Sequence, residues 1–209
     1  MQLTSNSFND NQPIPGDFAF CIPDAAHHVC LGGNSNPQLA WRDFPAATRS
    51  FVVICHDPDV PSRGDDVNQE GRSVPVTLPR IDFFHWVLVD LPATCAEIAT
   101  GEYSHGVSPR GKAGSATAQG ARQGINDYTG WFANDHDMSG DYYGYDGPCP
   151  PWNDALRHRY VFTVFALDIE KLPLDGKFTG QQVRVAMQGH VLAEASLTGL
   201  YTLNPAVVL

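Results

Sequence analysis

Three short segments of this 209-residue chain place ionisable side chains and turn formers at the ends of apolar runs. In Asp57-Pro58-Asp59-Val60-Pro61-Ser62-Arg63, two prolines stiffen a turn that carries two carboxylates off the apolar run 51–56. In His85-Trp86-Val87 an imidazole sits among apolar neighbours, and a lone strand histidine is more often a satisfied core residue than a functional one. The third segment is Gly144-Tyr145-Asp146-Gly147-Pro148-Cys149-Pro150-Pro151, followed by His158-Arg159-Tyr160. The two-residue period of a strand puts His158 and Tyr160 on one face. Imidazole N–H, phenol O–H and the backbone N–H groups of the glycine-rich run are all donors that suit a tetrahedral or planar oxyanion. A carboxylate at Asp57 repels such an anion unless it accepts from a histidine and fixes its tautomer, or shares a proton with a monoprotonated phosphate.

Two histidines and one aspartate are also the ligand count of a two-His, one-carboxylate metal site, to which Asn134-Asp135-His136-Asp137 could add oxygen donors. That alternative is a metal-dependent hydrolase or oxygenase. It weighs less because no two histidines are paired at H-x-H or H-x-x-x-H spacing and no H-E-x-x-H occurs. No G-x-S-x-G elbow is present either, so an activated serine is not expected. The expectation is a binding protein without turnover, without a metal and without a cofactor, since turnover needs a nucleophile with a dedicated base. Trp41, Trp86, Trp131 and Trp152 read as core or rim packing, with Trp131 and Trp152 flanking the long loop at the pocket entrance.

The elements that must position these groups read as mostly β. Gly (19) and Pro (16) recur along the whole length and helical periodicity is scarce. Residues 51–56, 84–89 and 160–166 are almost continuously apolar, as central strands covered on both faces are. Shorter strands are expected near Leu3, at 18–22 and at 39–41, and a short helix at 92–100 closed by Gly101. The four-residue steps Val183, Met187, Val191 and Ala195, with Thr179 as cap, predict a C-terminal helix over 179–196. The stretch 101–151 and the insertion 62–80 are irregular, and connections of that length tend to be functional. A hydrophobic share of 43% supports one domain over 1–209. The formal charge of -10 disfavours nucleic acid and anionic membrane surfaces as partners. Five cysteines, odd in number and without a C-x-x-C pair, predict reduced thiols, with Cys55 in the core. The start lacks the blocks of a signal peptide, and a soluble, cytoplasmic protein is expected.

In order, the Asp-Pro-Asp-x-Pro turn, His85-Trp86-Val87, the Gly-Pro-x-Pro-Pro run and His-Arg-Tyr resemble the phosphatidylethanolamine-binding protein family over roughly the whole chain. Gly124-Ile125-Asn126-Asp127 and Gly189-His190-Val191-Leu192-Ala193-Glu194 are similar to its bacterial Raf-kinase-inhibitor-like branch, whereas loops 62–80 and 130–143 are long for it. The resemblance implies a β-sandwich of a large, mostly antiparallel sheet against a smaller one. It also implies a cavity for phosphate, phosphorylethanolamine-like or carboxylate anions, formed by Asp57, Asp59, His85, His158 and Tyr160 with Pro61 and Pro151 supporting the walls. It further implies a cis bond at Val60-Pro61, a kinase or protease partner, and relatives that pair as homodimers. Lowering the pH towards 6 charges imidazoles that titrate near 6.5 and moves phosphate towards its monoanion, which can donate to Asp57, so a phosphate monoester is expected to bind more tightly at pH 6 than at pH 8.

Overall fold

The computed structural model describes residues 1–117 and 119–208 of the chain. The strands are β1 (Gln2–Thr4), β2 (Gln12–Pro13), β3 (Cys21–Asp24), β4 (His28–Leu31), β5 (Leu39–Arg42), β6 (Ser50–Pro61), β7 (Arg80–Pro92), β8 (Glu97–Ile98), β9 (Arg122–Gln123), β10 (His158–Leu167) and β11 (Val191–Tyr201). Two short α-helices, α1 (Tyr128–Trp131) and α2 (Gly180–Ala186), and a 3-10 turn at Gly16–Phe18 complete the described elements.

The apolar runs 51–56, 84–89 and 160–166 lie inside β6, β7 and β10, which form the middle of a six-stranded sheet ordered β2-β11-β10-β6-β7-β9. Its pairings are antiparallel apart from β2 with β11. Both faces are covered, which is why these strands are apolar at successive positions. On one face Phe51, Val53, Cys55, Trp86, Leu88 and Phe162 meet Leu3, Leu39, Trp41 and Ile98 of the smaller sheet β1-β5-β8. On the other, Val52, Ile54, Phe84, Val87 and Val89 pack under Phe178, Val183 and Met187 around α2. The result is the expected sandwich, with the site at the β6/β10 end of the first face.

Several local expectations fail for identifiable reasons. The helix over 179–196 is only α2, begun by Thr179 in a capping box with Gln182, and the chain continues as β11. A step of four residues is one helical turn and also two strand periods. Val183 and Met187 serve the first geometry, whereas Ala195 lies in β11 and packs with Ala193 against the opposite core. Gly189 at φ +81 falls between them. Residues 92–100 form no helix, because β8 pairs with β5 (Leu39↔Ile98, Ala40↔Glu97). The strand expected at 18–22 begins only at Cys21, after the Gly16–Phe18 turn. Val60-Pro61 is trans, as no cis peptide bond occurs among the described residues; Pro61 lies in the extended β6 ladder opposite Arg80. Cys21 and Cys149 form a disulfide across 128 residues of sequence, a pairing invisible to spacing rules, while Cys30, Cys55 and Cys95 are free. No described helix is long and apolar enough to cross a membrane.

Candidate functional site

Two β-bulges aim the chemistry. The β6–β7 ladder runs Cys55↔Trp86 and then His56↔Phe84, so β7 holds one extra residue at His85. Phe84, Val87 and Val89 belong to the helix-side core, and Trp86 and Leu88 to the other. Unbroken alternation would send His85 to the helix side; the bulge turns it instead to the cavity that it lines. Farther along, Asp57 pairs with Phe83 and Val60 with Ile81, leaving Pro58 and Asp59 opposite Asp82 alone. The expected stiff turn is therefore a bulge within β6. The Asp59 N–H donates to Asp57 Oδ1 at 2.8 Å, a local closure that fixes the carboxylate.

Asp57, Pro61, His85, Pro151, His158 and Tyr160 line one cavity of about 770 Å³. Asp59 does not. It faces a separate surface groove, where Arg159 grips it bidentately at 2.8 and 2.9 Å and, against the opposing effect of burial, holds its carboxyl below the usual range. Neighbouring strand residues point oppositely, so Asp57 and Asp59 could share the cavity only without the bulge between them.

His158 is wholly buried between two buried carboxylates: Nδ1–H donates to Asp57 Oδ2 at 2.6 Å and Nε2–H to Asp154 Oδ2 at 3.1 Å. Burial alone would discharge the ring, but Asp57 and then Asp154 outweigh it and raise its pKa to about 9. Asp154 also accepts two bonds from Arg80, at 2.6 and 3.1 Å. The chain Asp57–His158–Asp154–Arg80 alternates sign and is neutral overall, the form in which buried charges are tolerated.

His85 is held differently. Its Nδ1–H donates to the Asp146 carbonyl at 2.8 Å, while the Asp146 N–H donates back to the His85 carbonyl at 3.0 Å. The tautomer is thereby fixed and Nε2 is left as an acceptor. Burial, only partly opposed by Asp57, pulls its pKa down to about 4. Asp146 is itself anchored by Asn34 (2.7 Å), Lys112 (2.7 Å) and Asn126 (2.8 Å). Beside His85, with ring centroids 5.0 Å apart, stands Tyr160, whose buried hydroxyl makes no well-formed hydrogen bond among the described residues and lies close to the Asp57 carboxylate. Burial first, then nearby Asp57, pushes that phenol well above its ordinary value.

These facts revise the expected donor set. Neither histidine changes charge between pH 6 and pH 8, and both N–H groups of His158 are spent on carboxylates. Histidine titration therefore supplies no tighter binding at pH 6. The glycine-rich run also contributes less than expected, since three of its residues are prolines and the Gly147 N–H donates to Asn34 Oδ1 at 2.8 Å. A metal ligand needs a free lone pair, and His158 has none left; the two-His, one-carboxylate set is spoiled by its own hydrogen bonds.

Above this polar base the walls are apolar: Phe83, Tyr128, Phe132 and Met138 line them, and exposed Leu31, Ile81 and Trp131 ring the mouth. The Cys21–Cys149 disulfide forms part of one wall, where Phe20 and Cys21 N–H both donate to the Pro148 carbonyl. Trp131 lines the entrance, whereas Trp152 stacks flat on His28 at 3.8 Å, outside the cavity lining. Loop 62–80 is tied down by Asn153, whose Nδ2 donates to the carbonyls of Asp66, Gln69 and Arg72.

The important residues missed from sequence are Asp154, Arg80 and Asp146. Asp154 stands four residues before His158, and Asp146 lies inside the glycine run that reads as a backbone feature, so both carried a weak signal. Arg80 carried none, because its partner is 74 residues away.

Comparison with known proteins gives a concordant result. A family model described as phosphatidylethanolamine-binding protein matches residues 4–202. The UPF0098 protein YbhB of Escherichia coli (strain K12) is 32% identical over 202 residues, covering 97% of this chain and all of that one. A UPF0098 protein of Aquifex aeolicus (strain VF5) is 31% identical over 96% of this chain and 88% of its own. Among solved structures, E. coli YbcL, described as a new member of the mammalian PEBP family, superposes with a TM-score of 0.68 at 28% identity, covering 96% of this chain and 97% of that one.

Proposed function

Because this chain belongs to the phosphatidylethanolamine-binding protein family, we propose that its cavity binds a small ligand bearing a phosphate or carboxylate group and does not turn it over. The observation that carries this reading is the meeting of three groups at the cavity base: His85 with a fixed ring and a free Nε2, Tyr160 with a free hydroxyl, and Asp57 held by His158. The buried Tyr160 hydroxyl makes no well-formed hydrogen bond among the described residues, and a ligand oxygen would give it a well-aligned acceptor. The apolar walls suit a ligand whose headgroup is followed by hydrocarbon. Turnover is disfavoured because neither base beside the hydroxyl is suited to activate it: Asp57 is committed to the His158 cation and to the Asp59 N–H, and burial keeps His85 weakly basic, with a pKa of about 4. The disulfide favours an oxidising compartment over the cytoplasm.

Calorimetric titration with butyl phosphate tests the reading. The wild type should bind, and His85→Ala should weaken binding at least about tenfold, equivalent to ~1.4 kcal/mol, with folding monitored by circular dichroism. Equal affinities, or steady release of inorganic phosphate that His85→Ala abolishes, would defeat it.

A further inference from the structure

We infer that the base of the cavity takes its oxyanion with a proton still attached, so that a phosphate monoester binds as the monoanion and donates its P–O–H to Asp57 or to His85 Nε2. This rests on the anion-binding reading above and adds the protonation state of the ligand to it.

Hydrogens are scarce at the base of the cavity. Asp57 is a carboxylate whose two oxygens each already accept one bond, from Asp59 N–H and His158 Nδ1–H, and each keeps a further lone pair. His85 offers only the lone pair of Nε2, because its one proton is on Nδ1 and bound to the Asp146 carbonyl. Tyr160 O–H is the one side-chain donor in this group without a well-formed hydrogen bond, and it already lies within reach of the Asp57 carboxylate, so donation there reduces the donors to none. His158 is a cation but has no N–H left to give. The rest of the cavity does not reverse this balance. Asp82, paired with Arg184, and Asp127, which accepts from the Phe84 N–H, add carboxylates. Arg63 is the other cation in the lining, but it lies exposed at the mouth, 3.5 Å from Asp65. Arg80, the remaining cation of the network, is consumed by Asp154 behind His158, and the free thiol of Cys55 is buried in the adjoining core.

A phosphate dianion would thus meet two acceptors and one donor, and would place its second charge against Asp57. The monoanion removes that charge and supplies the missing hydrogen. A sulfate monoester has the charge and shape of the phosphate monoanion without the proton, so it meets the same acceptors with nothing to donate. The two histidines at the base hold their charge states from pH 5 to pH 8, with His85 at about 4 and His158 at about 9. The proton that matters then belongs to the ligand.

The experiment is calorimetric titration of the wild-type protein with butyl phosphate and with butyl sulfate at pH 5, 6, 7 and 8, so no variant has to fold. Butyl phosphate affinity should fall by roughly ninety-fold from pH 5 to pH 8, the change in the monoanion fraction for a second pKa near 6, and butyl sulfate should not bind. A flat profile for butyl phosphate, or butyl sulfate binding as tightly as butyl phosphate at pH 5, would overturn the inference and leave anion binding standing. Butyl sulfate binding that strengthens as pH falls would overturn it too, because the titrating proton would then lie on the protein. Failure of both esters to bind at every pH would sink the anion-binding reading and this inference together.

Discussion

His85 and His158 line the same cavity and are both almost completely buried, yet their pKa values lie on opposite sides of neutrality, at about 4 and about 9. Burial discourages charge on both rings to begin with. The difference comes from what faces each nitrogen. His85 meets a neutral carbonyl of Asp146 and an open cavity, so nothing offsets desolvation strongly enough to keep it charged. His158 meets carboxylates on both sides, and the pair attraction prevails. One ring is therefore available to a ligand as an acceptor, while the other is a buried structural cation that holds Asp57 in place. Residue type alone assigns both the same role; the second partner of each ring separates them.

The largest expected effect comes from breaking the charge chain. Asp57→Ala leaves His158 with one carboxylate and opens a gap beside Tyr160, so unfolding in urea should show a loss of about 3–5 kcal/mol with little change in slope. His85→Gln removes a hydrogen bond between neutral groups and leaves the Asp146 carbonyl short of a donor, a loss of about 1–3 kcal/mol. Equal losses would mean that the two histidines are held alike, and the contrast drawn here would fail.

Next in size is the disulfide, which sits on the His85 side. Cys149 lies two residues beyond the Gly147 that Asn34 holds, and three beyond Asp146. Reduction releases a loop constraint of 128 residues and should cost about 2–4 kcal/mol of stability, read as a lowered urea midpoint in dithiothreitol. It should also shift the ring resonances of His85 more than those of His158, whose partners Asp57 and Asp154 lie outside the bridged Cys21 and Cys149 segments. The reverse pattern would show that the wall braces the charge chain.

Much of the architecture was legible because the central strands are apolar on both faces and the site motifs sit at their ends. The two bulges were not. Nothing in His85-Trp86-Val87 announces that β7 holds an extra residue against β6, and without it alternation sends the histidine to the wrong core. The two-residue strand alternation in β10, by contrast, is unbroken at this end, and His158 and Tyr160 share one face and line the same cavity. The failed helix over residues 187–196 shows the limit of spacing arguments, since a step of four suits both periods and only tertiary pairing with β10 decides. Long-range partners such as Arg80 with Asp154, or Cys21 with Cys149, depend on loop paths that no local pattern encodes.

The gentlest way to sharpen the contrast is the pH dependence of stability, where each histidine contributes a slope of at most one proton, about 1.4 kcal/mol per pH unit. Both rings titrate near 6.5 when unfolded. His158 keeps its proton in the native state up to about 9, so between those values the native state binds the extra proton and stability declines as pH rises. Below 6.5 its contribution is fully present. His85 behaves oppositely: between 6.5 and about 4 the unfolded chain takes up a proton that the native ring refuses, so stability declines as pH falls. The two limbs should meet in a maximum near pH 6.5 in thermal or urea unfolding. His158→Gln should flatten the alkaline limb and leave the acid one, and His85→Gln should do the converse. Asp146, whose carboxyl is raised by burial against the opposing pull of Lys112, and His56, whose pKa is lowered first by burial, survive both variants, which is why the paired comparison and not the wild-type curve assigns the slopes. A single variant that flattened both limbs would show the two rings to be coupled through Asp57, and the division of labour between them would have to be abandoned.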